Sequence, residues 1–461
     1  MCGGPWQAVL LFIWVFEIFF ITMISDNNIE TRNPFIEPSL VLQTLKIPII
    51  HDVQLKTHLE ETAYEVFEFG PEWYDQIRSS GKLINLTETM KLHEDINNHP
   101  LIEKVKGMNF KEMVKELKLT RDLKTLDEVE RGAMVKVVTE FAIKEPLVEI
   151  EETCEPILAA SIKCEDYGEN LNGERERPAR IGHLIQFGFE ADSLEIHLHE
   201  IYDYIDKFFI VEAQRTHFMN TPKPLIWPQL AKQKRFSKFL DKIVYFVITD
   251  ELIENHAQSS VTNIWRNEGI QEDLRWRMFL EWNKKHDNYF KEDDVLGFGD
   301  TDEISSRHNL ALIKKCNLKG VTDIGIWFTF GTVSKYHNSC FHVRGHYDNL
   351  GDPTYWPVKA AMDNSEKPSR NRGKSPYHLL GGLHLTRYRY IPHVLAKELS
   401  ATEAGNTNHP IFQLLDQLSN SDVSLHEMKL QMMKYIDKWS VIRDYFDMPK
   451  DRLGTLPFVI P

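Results

Sequence analysis

The segment DDVLGFGDTDEI, residues 293–304, ends a short hydrophobic run with three carboxylates, Asp300, Asp302 and Glu303. A run of this kind is typical of a buried strand, and SSRHNLALIKKC (305–316) after it has the apolar spacing of a helix. Three acids within four positions repel one another unless they stabilise a helix N-terminus or surround a cation. The segment therefore predicts a strand, a helix and a charged site between them.

The same alternation of strand and helix surrounds this segment. Strands that alternate with helices predict an α/β fold, a largely parallel sheet with helices on both faces. Ligands of such sheets bind outside the carboxyl ends of the strands, and the three acids fall at such an end. The other predicted elements are strands at IGHLIQFGF (181–189), KFFIVEA (207–213) and KIVYFVI (242–248) and helices at 191–206 and 268–284.

The chain before this region has a different pattern. Apolar residues at three- and four-residue spacing predict helices in 55–69 and 110–143, and the polar stretch 167–180 predicts a boundary. Residues beyond 325 are rich in aromatic residues and predict further strands and pocket loops, followed by C-terminal helices. We predict four segments: 1–25, 26–178 as a helical stem or accessory region, 179–405 as the main domain, and 406–461 as a helical extension.

The N-terminal segment predicts targeting to the secretory pathway. Residues 6–25 are mostly apolar with one charged residue, Glu17, and about 20 such residues are enough to span a bilayer. This length favours an uncleaved membrane anchor, and a cleaved signal peptide is the alternative. The first reading predicts a Golgi or related membrane protein with a lumenal main domain, and the second predicts secretion.

The cysteines fit an oxidising compartment. Cys154 and Cys164 are close in sequence, as are Cys316 and Cys340, so two disulfides with these pairings are expected. Four cysteines allow three connectivities, and buried free thiols are the other alternative.

The net charge of −14 argues against nucleic acid as a partner, because nucleic-acid binding depends on clustered lysine and arginine. The acids at 300–303 suggest another ligand. Asp300 and Asp302 can converge on Mg²⁺ or Mn²⁺, which prefer oxygen ligands, and such an ion can hold a diphosphate. The alternative is that Asp302, Ser305 or Ser306 caps the following helix.

The stretch EADSLEIHLHEIYDYIDKFFIVEAQRTHFMNTPKPL (190–225) resembles the opening of glycosyltransferase family 17. That family consists of β-1,4-mannosyl-glycoprotein 4-β-N-acetylglucosaminyltransferases. Its pattern "D-x-D-E-I-P" resembles the acid cluster, HYDNLGDPTYWPVKAA (346–361) looks like its "Y-x-N-L-x…W-x-G-P", and GGLHLT (381–386) looks like "G-G-W-H-F-S". The likeness covers residues 179–405.

The resemblance implies a GT-A-like fold, a nucleotide-sugar donor and inversion at the anomeric carbon. The implied reaction transfers N-acetylglucosamine from UDP to a mannose of an N-linked glycan on a glycoprotein. Carried over by position, Asp300 and Asp302 would bind the donor and, with His384, a divalent metal ion. A histidine that is hydrogen-bonded within a packed loop is the alternative for His384.

The resemblance also places Glu212 at the end of an early strand, near the nucleotide, with a strand-end acid that binds backbone amides as the alternative. The general base is not identified by any motif. Glu303 and Glu403 are candidates by position, although a helix-capping role is preferred for Glu303.

Several positions depart from the family pattern. Gln271-Glu272-Asp273 stands where the family often has "Q-R-N", so position 272 has the opposite charge. An aromatic residue is replaced by Leu383 and a histidine by Ala401. These changes leave two alternatives open: a transferase with another donor or acceptor, and a non-catalytic carbohydrate-binding relative.

Overall fold

A computed structural model describes a large part of the chain, and all of the described residues lie in one compact unit formed by 49–152 and 156–461. The predicted anchor, Glu403 and Cys154 lie outside the described residues. Among the helices that are described, none is both long and apolar enough to cross a membrane. The described residues are 63–70, 73–74, 86–144, 162–256, 264–330, 332–341, 353–364, 367–370, 374–385, 391–401, 410–440 and 443–444.

Strands occur along most of the described chain. They are β1 (Glu65–Phe67), β2 (Leu171–Glu174), β3 (Ile181–Phe187), β4 (Lys207–Ala213), β5 (Ile243–Ile248), β6 (Val295–Asp300), β7 (Glu303–Ser305), β8 (Cys316–Leu318), β9 (Thr322–Phe330), β10 (Thr332–Phe341), β11 (Thr354–Pro357), β12 (Tyr377–His384) and β13 (Arg443–Asp444).

Helices precede, connect and follow these strands. They are α1 (Leu86–Asn97), α2 (Pro100–Val105), α3 (Phe110–Leu117), α4 (Glu128–Lys144), α5 (Ala191–Ile201), α6 (Trp227–Leu230), α7 (Asp250–His256), α8 (Ile264–Lys285), α9 (Arg307–Lys315), α10 (Val358–Asp363), α11 (Ile391–Ser400), α12 (Pro410–Ser419) and α13 (Leu425–Ser440).

The main sheet has the strand order β1, β5, β4, β3, β6, β11, β9, β10, β13, and its first five strands are parallel. The chain leaves β3 toward β4 and β5 on one side and returns to β6 on the other side. This reversal creates a crevice at the carboxyl ends of β3 and β6, where ligands of open α/β sheets bind. Gln186 pairs with Asp300 at that end, so the acid cluster lies at the crevice.

Both faces of the parallel strands are buried, which explains their continuous apolar sequences. Alternate residues of a strand point to opposite faces, and β5 shows the consequence. Tyr245 and Val247 belong to one hydrophobic cluster, together with α5, whereas Phe246 and Ile248 belong to a second cluster, together with α8. Helix α5 therefore covers one face of the sheet and α8 the other.

The coarse fold prediction is confirmed: a mostly parallel sheet with flanking helices is present, and each predicted strand between 181 and 304 is found. The helix predicted in 55–69 is wrong where the structure describes it. Residues Glu65–Phe67 form the parallel edge strand β1, since pairing with β5 and the packing of Phe67 on Phe246 outweigh local helical spacing.

The predicted disulfide pairings are also wrong. Cys164 bonds to Cys316, across a sequence separation of 152, so neither can bond to its near neighbour in sequence. Sequence spacing fails here because the pairing is decided by β2 and β8, which form a separate two-stranded sheet and bring the two segments together.

The described helices before residue 145 share a hydrophobic core with the sheet. Phe110 and Met113 of α3 and Val138 of α4 belong to the same cluster as Ile181 and Ile185 of β3. A guanidinium after β4, that of Arg215, donates a hydrogen bond to Glu128 of α4. The predicted boundary at 178 stays a prediction, although these helices contact the main domain directly.

Candidate functional site

Hydrogen bonds fix the turn that carries the acids between β6 and β7. The backbone N–H and the hydroxyl of Thr301 both donate to the carbonyl oxygen of Gln186, at 3.1 and 2.8 Å. The backbone N–H of Asp300 donates to Oε2 of Glu303 at 3.0 Å, and the N–H of Leu385 donates to the carbonyl oxygen of Asp302 at 2.7 Å. The turn is therefore joined to both β3 and the end of β12.

Strand β12 brings His384 to this turn. Its last residues pair antiparallel with β7, and His384 lies opposite Glu303 in the register. Gly382 permits this pairing, because its φ is +144° and an added Cβ would lie 2.2 Å from the carbonyl oxygen of Ile304. As a result, Nε2 of His384 lies 3.4 Å from Oδ2 of Asp302.

Asp302 is buried, and its carboxylate lies close to the ammonium of Lys397 and the imidazole of His384. Nζ of Lys397, on α11, lies 2.5 Å from Oδ2 of Asp302, the oxygen that His384 approaches. Desolvation alone would raise the pKa of Asp302, but Lys397 and His384 together hold it well below its usual range. Asp302 is therefore ionised at neutral pH.

The pKa of Asp300 is shifted in the opposite direction to that of Asp302, although only one residue separates the two. Its Oδ2 lies 2.5 Å from Nη1 of Arg370, and about a third of its side chain (34%) is exposed in the crevice. Desolvation raises the pKa of Asp300 well above its ordinary value. Arg370 opposes that rise, and the charges of Glu303 and Glu268 add to it. Loss of hydration is thus the main cause of the raised pKa, and the neighbouring carboxylates add to it.

Glu303 forms part of the wall below Asp300. Its side chain is buried, its Oε1 accepts from Nη1 of Arg370 at 3.2 Å, and its other oxygen accepts from the backbone of Asp300. The preferred helix-capping role is wrong, because Ser306 caps α9 by accepting from the N–H of Asn309. The role of Glu303 as a base stays a prediction.

Glu212 lies at the end of β4, beside β3, and is completely buried. Its Oε1 accepts from Nζ of Lys223 and from the N–H of Ile226, and its Oε2 accepts from the hydroxyl of Tyr245 and the N–H of Trp227, all at 2.8–3.1 Å. These contacts match the alternative of a strand-end acid that binds backbone amides. Its contact with a donor stays a prediction.

The cations of the site were not predicted from the sequence. Arg370 and Lys397 follow the acid cluster by 70 and 95 residues. Arg370 belongs to the basic stretch KPSRNRGK (367–374), which was not singled out, and Lys397 belongs to no charged run. Arg275, on α8, is a third. It is almost fully buried, and its Nε and Nη2 have no hydrogen-bond partner within the described part of the chain. A contact map, rather than any local motif, would have been needed to find these residues.

The predicted metal ligands can be tested against this geometry. Carboxylate oxygens with one imidazole suit Mn²⁺ or Mg²⁺, and two ligand atoms at about 2.1 Å from one ion lie about 3 Å apart. The 3.4 Å between Nε2 of His384 and Oδ2 of Asp302 is close to that spacing. Within the described ranges, however, no three acidic, cysteine or histidine side chains converge as metal ligands. Asp300, Asp302 and His384 fit the ion chemically, but Asp300 would have to release Arg370, and Oδ2 of Asp302 would have to release Lys397, to complete the set.

Comparisons with known proteins agree with this site. Residues 144–324 match the model of Glycosyltransferase family 17, and the matched region includes the crevice and the acid cluster. These residues, the family 17 segment below, are similar to that family over less than half of the chain. The predicted family resemblance is thereby confirmed. The family 17 match ends before 346–361 and 381–386, so the resemblance of those two motifs stays a prediction.

The chain also has named relatives. The chain is 26% identical over 140 residues to the beta-1,4-mannosyl-glycoprotein 4-beta-N-acetylglucosaminyltransferases of Rattus norvegicus and Homo sapiens, and 25% identical to that of Mus musculus. The alignment covers 30% of this chain and 24% of each relative. The chain therefore spans about a quarter of the length of the relatives it matches.

Proposed function

We propose that this protein is an inverting, metal-dependent glycosyltransferase with a GT-A-like fold. It would transfer N-acetylglucosamine from a UDP donor to a mannose of an N-linked glycan. The observation that carries the proposal is the position of Asp300 and Asp302. Asp300 is the last residue of β6 and Asp302 lies in the turn after it, beside the reversal of strand order and inside the family 17 segment. The named relatives support the donor and acceptor.

The residues of the crevice would have three different roles in the reaction. Asp300, Asp302 and His384 would hold Mn²⁺ or Mg²⁺, which would stabilise the charge of the leaving nucleoside diphosphate. Lys397 keeps Asp302 ionised and fixed. A carboxylate base would take the proton of the acceptor hydroxyl, and Glu303 and Glu403 remain the candidates.

The location of the reaction follows from the N-terminal segment. Residues 6–25 would anchor the protein in a Golgi or related secretory membrane, with the family 17 segment on the lumenal side. An oxidising compartment of this kind agrees with the disulfide between Cys164 and Cys316.

The proposal is tested with the full chain, purified in detergent and given UDP-N-acetylglucosamine, Mn²⁺ and a panel of N-glycan acceptors. We expect a β-linked product, and we expect Asp300→Asn to lower kcat/KM at least about 100-fold. Glu292→Gln is the matched control, since Glu292 is an exposed carboxylate (78%) before the opposite end of the same strand.

Three results would change the proposal. Transfer that survives a chelator would remove the metal from the mechanism. No consumption of any sugar nucleotide, together with binding of glycans, would identify a non-catalytic carbohydrate-binding relative. Consumption of a different sugar nucleotide would keep the reaction class and replace the donor.

A further inference from the structure

The loop that follows β4, residues 214–222 (the β4 loop), borders the crevice. It leaves the carboxyl end of β4, which pairs with β3, and at the same end β3 carries Gln186 opposite Asp300. The loop is closed on itself, because the N–H of Thr216 donates to the carbonyl oxygen of Thr221 at 2.8 Å. The β4 loop and the acid turn therefore lie at the same edge of the sheet, on opposite sides of β3.

Helix α8 holds the β4 loop through two buried amides. Asn267 and Gln271 are four residues apart, so they lie on the same side of the helix. Nδ2 of Asn267 donates to the carbonyl oxygen of His217 at 2.8 Å, and Nε2 of Gln271 donates to that of Arg215 at 3.0 Å. Asn267 is 6% exposed and Gln271 is 2% exposed. Loss of either amide would therefore take a donor from a backbone carbonyl in a desolvated place.

The amide of Gln271 also connects the β4 loop to β3. Its Oε1 accepts from Nε2 of Gln186 at 2.9 Å and lies 3.1 Å from Nε2 of His217. The carbonyl oxygen of Arg215 can only accept, so it fixes the NH₂ group of Gln271 on its own side. The oxygen of Gln271 therefore faces both Gln186 and His217.

This orientation decides which nitrogen of His217 carries a hydrogen. An amide oxygen cannot donate, so Nε2 of His217 is the N–H that binds Gln271, and in the neutral ring Nδ1 is then an acceptor. The side chain of His217 is half-buried. Within the part of the chain that the structure describes, Nδ1 of His217 has no hydrogen-bond partner. His217 thus offers one acceptor nitrogen beside the crevice.

We propose that Nδ1 of His217 accepts a hydrogen bond from the nucleoside of the sugar-nucleotide donor, and that Gln271 is the positioning residue that presents it. A nucleoside has hydroxyl and N–H groups that donate, whereas an ionised diphosphate has only acceptor oxygens, so an acceptor nitrogen selects the nucleoside. The acid turn, on the other side of β3, would hold the diphosphate. The identity of the ligand rests on the proposed function, whereas the hold of Gln271 on the β4 loop does not.

The acceptor nitrogen is tested with full-length His217→Asn and His217→Gln. Asparagine places its polar end near the position of Nδ1, and glutamine places its polar end near that of Nε2, where it keeps the contact with Gln271. We expect His217→Gln to weaken binding of UDP with Mn²⁺ about tenfold and His217→Asn to weaken it no more than about threefold, by calorimetry. Inorganic diphosphate with Mn²⁺ should bind equally to both variants and to the wild type.

The positioning role is tested with Gln271→Met, which keeps the length of the side chain and removes the amide. UDP affinity should fall about tenfold, and the KM for the donor should rise while kcat stays within about threefold, because a contact with the nucleoside is the same before and during the reaction. Hydrogen exchange in residues 214–222 should become faster. Gln233→Met is the matched control, since half-buried Gln233 donates to Ile143 of α4, and it should change neither UDP affinity nor that exchange.

UDP affinity that is the same in His217→Gln and the wild type would overturn the proposal, and so would an equal loss of UDP and inorganic diphosphate affinity, which would place His217 at the phosphates. If Gln271→Met fails to fold, the two His217 variants decide. If the wild-type chain neither binds UDP nor transfers sugar, the proposed function fails. Hydrogen exchange in 214–222 then decides whether Gln271 holds the β4 loop, and unchanged exchange would refute that as well.

Discussion

At the scale of single residues, the two aspartates of the acid turn are expected to respond differently to neutralisation. The pKa of Asp300 is raised, so its ionised form is unfavourable in the folded chain. Asp300→Asn should therefore leave the free energy of unfolding at pH 7 unchanged or increase it, while abolishing transfer. Chemical denaturation and a UDP-sugar assay on the same preparation measure both effects.

Asp302→Asn is the matched comparison. The pKa of Asp302 is lowered by Lys397 and His384, so removal of its charge takes the nearer carboxylate away from the largely buried ammonium of Lys397, while that of Glu190 stays 3.7 Å away. We expect a loss of about 3 kcal/mol in the free energy of unfolding, in addition to the loss of transfer. Equal effects of the two substitutions on stability would contradict this assignment of charge.

At the scale of elements, Gly382 decides whether β12 can deliver His384 to the acid turn. Gly382→Ala places a methyl group against the carbonyl oxygen of Ile304 and at an unfavourable φ. We expect a loss of about 3 kcal/mol in stability and a larger fractional loss of activity, since His384 is displaced from Asp302.

Gly107→Ala separates the cost of the unfavourable φ from the cost of the close contact. Gly107 also has a positive φ (+79°), but no atom lies within 4 Å of an added Cβ. Its cost should be near 1 kcal/mol, which is about the backbone contribution alone. A similar cost at both glycines would show that the close approach of β7 and β12 is not what excludes a side chain at 382.

The same elements show how far the sequence alone can be interpreted. The strands around β6 were predictable because both faces are buried and their sequences are continuously apolar, and the carboxyl-end position of Asp300 followed from the order of elements. The charge balance of the site was not predictable. Arg370 and Lys397 come from segments that follow the matched family region, and β1 was mistaken for part of a helix because its strand character depends on β5.

At the scale of the whole molecule, the disulfide between Cys164 and Cys316 closes a long stretch of chain that contains β3 to β7. A loop of this length predicts a contribution of about 4–5 kcal/mol to stability through the unfolded state. Cys164→Ser/Cys316→Ser should lower the free energy of unfolding by that amount. A reducing agent should have the same effect on the wild type and none on the double variant; wild type that is indifferent to reduction would contradict the prediction.

Acid sensitivity is a second property of the whole fold, and it originates in His183 and His197 beneath the acid turn. Both are completely buried, their rings lie 5.1 Å apart, and Nδ1 and Nε2 of His183 and Nε2 of His197 have no hydrogen-bond partner among the residues that are described. Burial lowers the pKa of His197 to about 4, although Glu303 and Asp302 nearby oppose the shift. Burial, with His197 and Arg275 beside it, lowers the pKa of His183 well below its ordinary value.

The direction of the pH dependence follows from these shifts. An unfolded chain takes up protons at histidine below pH about 6.5, whereas the folded chain resists uptake at these two positions until a much lower pH. Stability should therefore be complete above pH about 6.5 and fall as the pH is lowered toward 4. His197 alone should account for about 2 kcal/mol between pH 7 and pH 5.

Urea denaturation at pH 7 and pH 5 measures this loss in wild type, His197→Gln and His426→Gln. The His197 variant is expected to lose about 2 kcal/mol less between the two pH values than the wild type. The variant of His426, an exposed histidine on α13, should behave like the wild type. If all three proteins lose the same stability on acidification, His197 is not a source of the acid response.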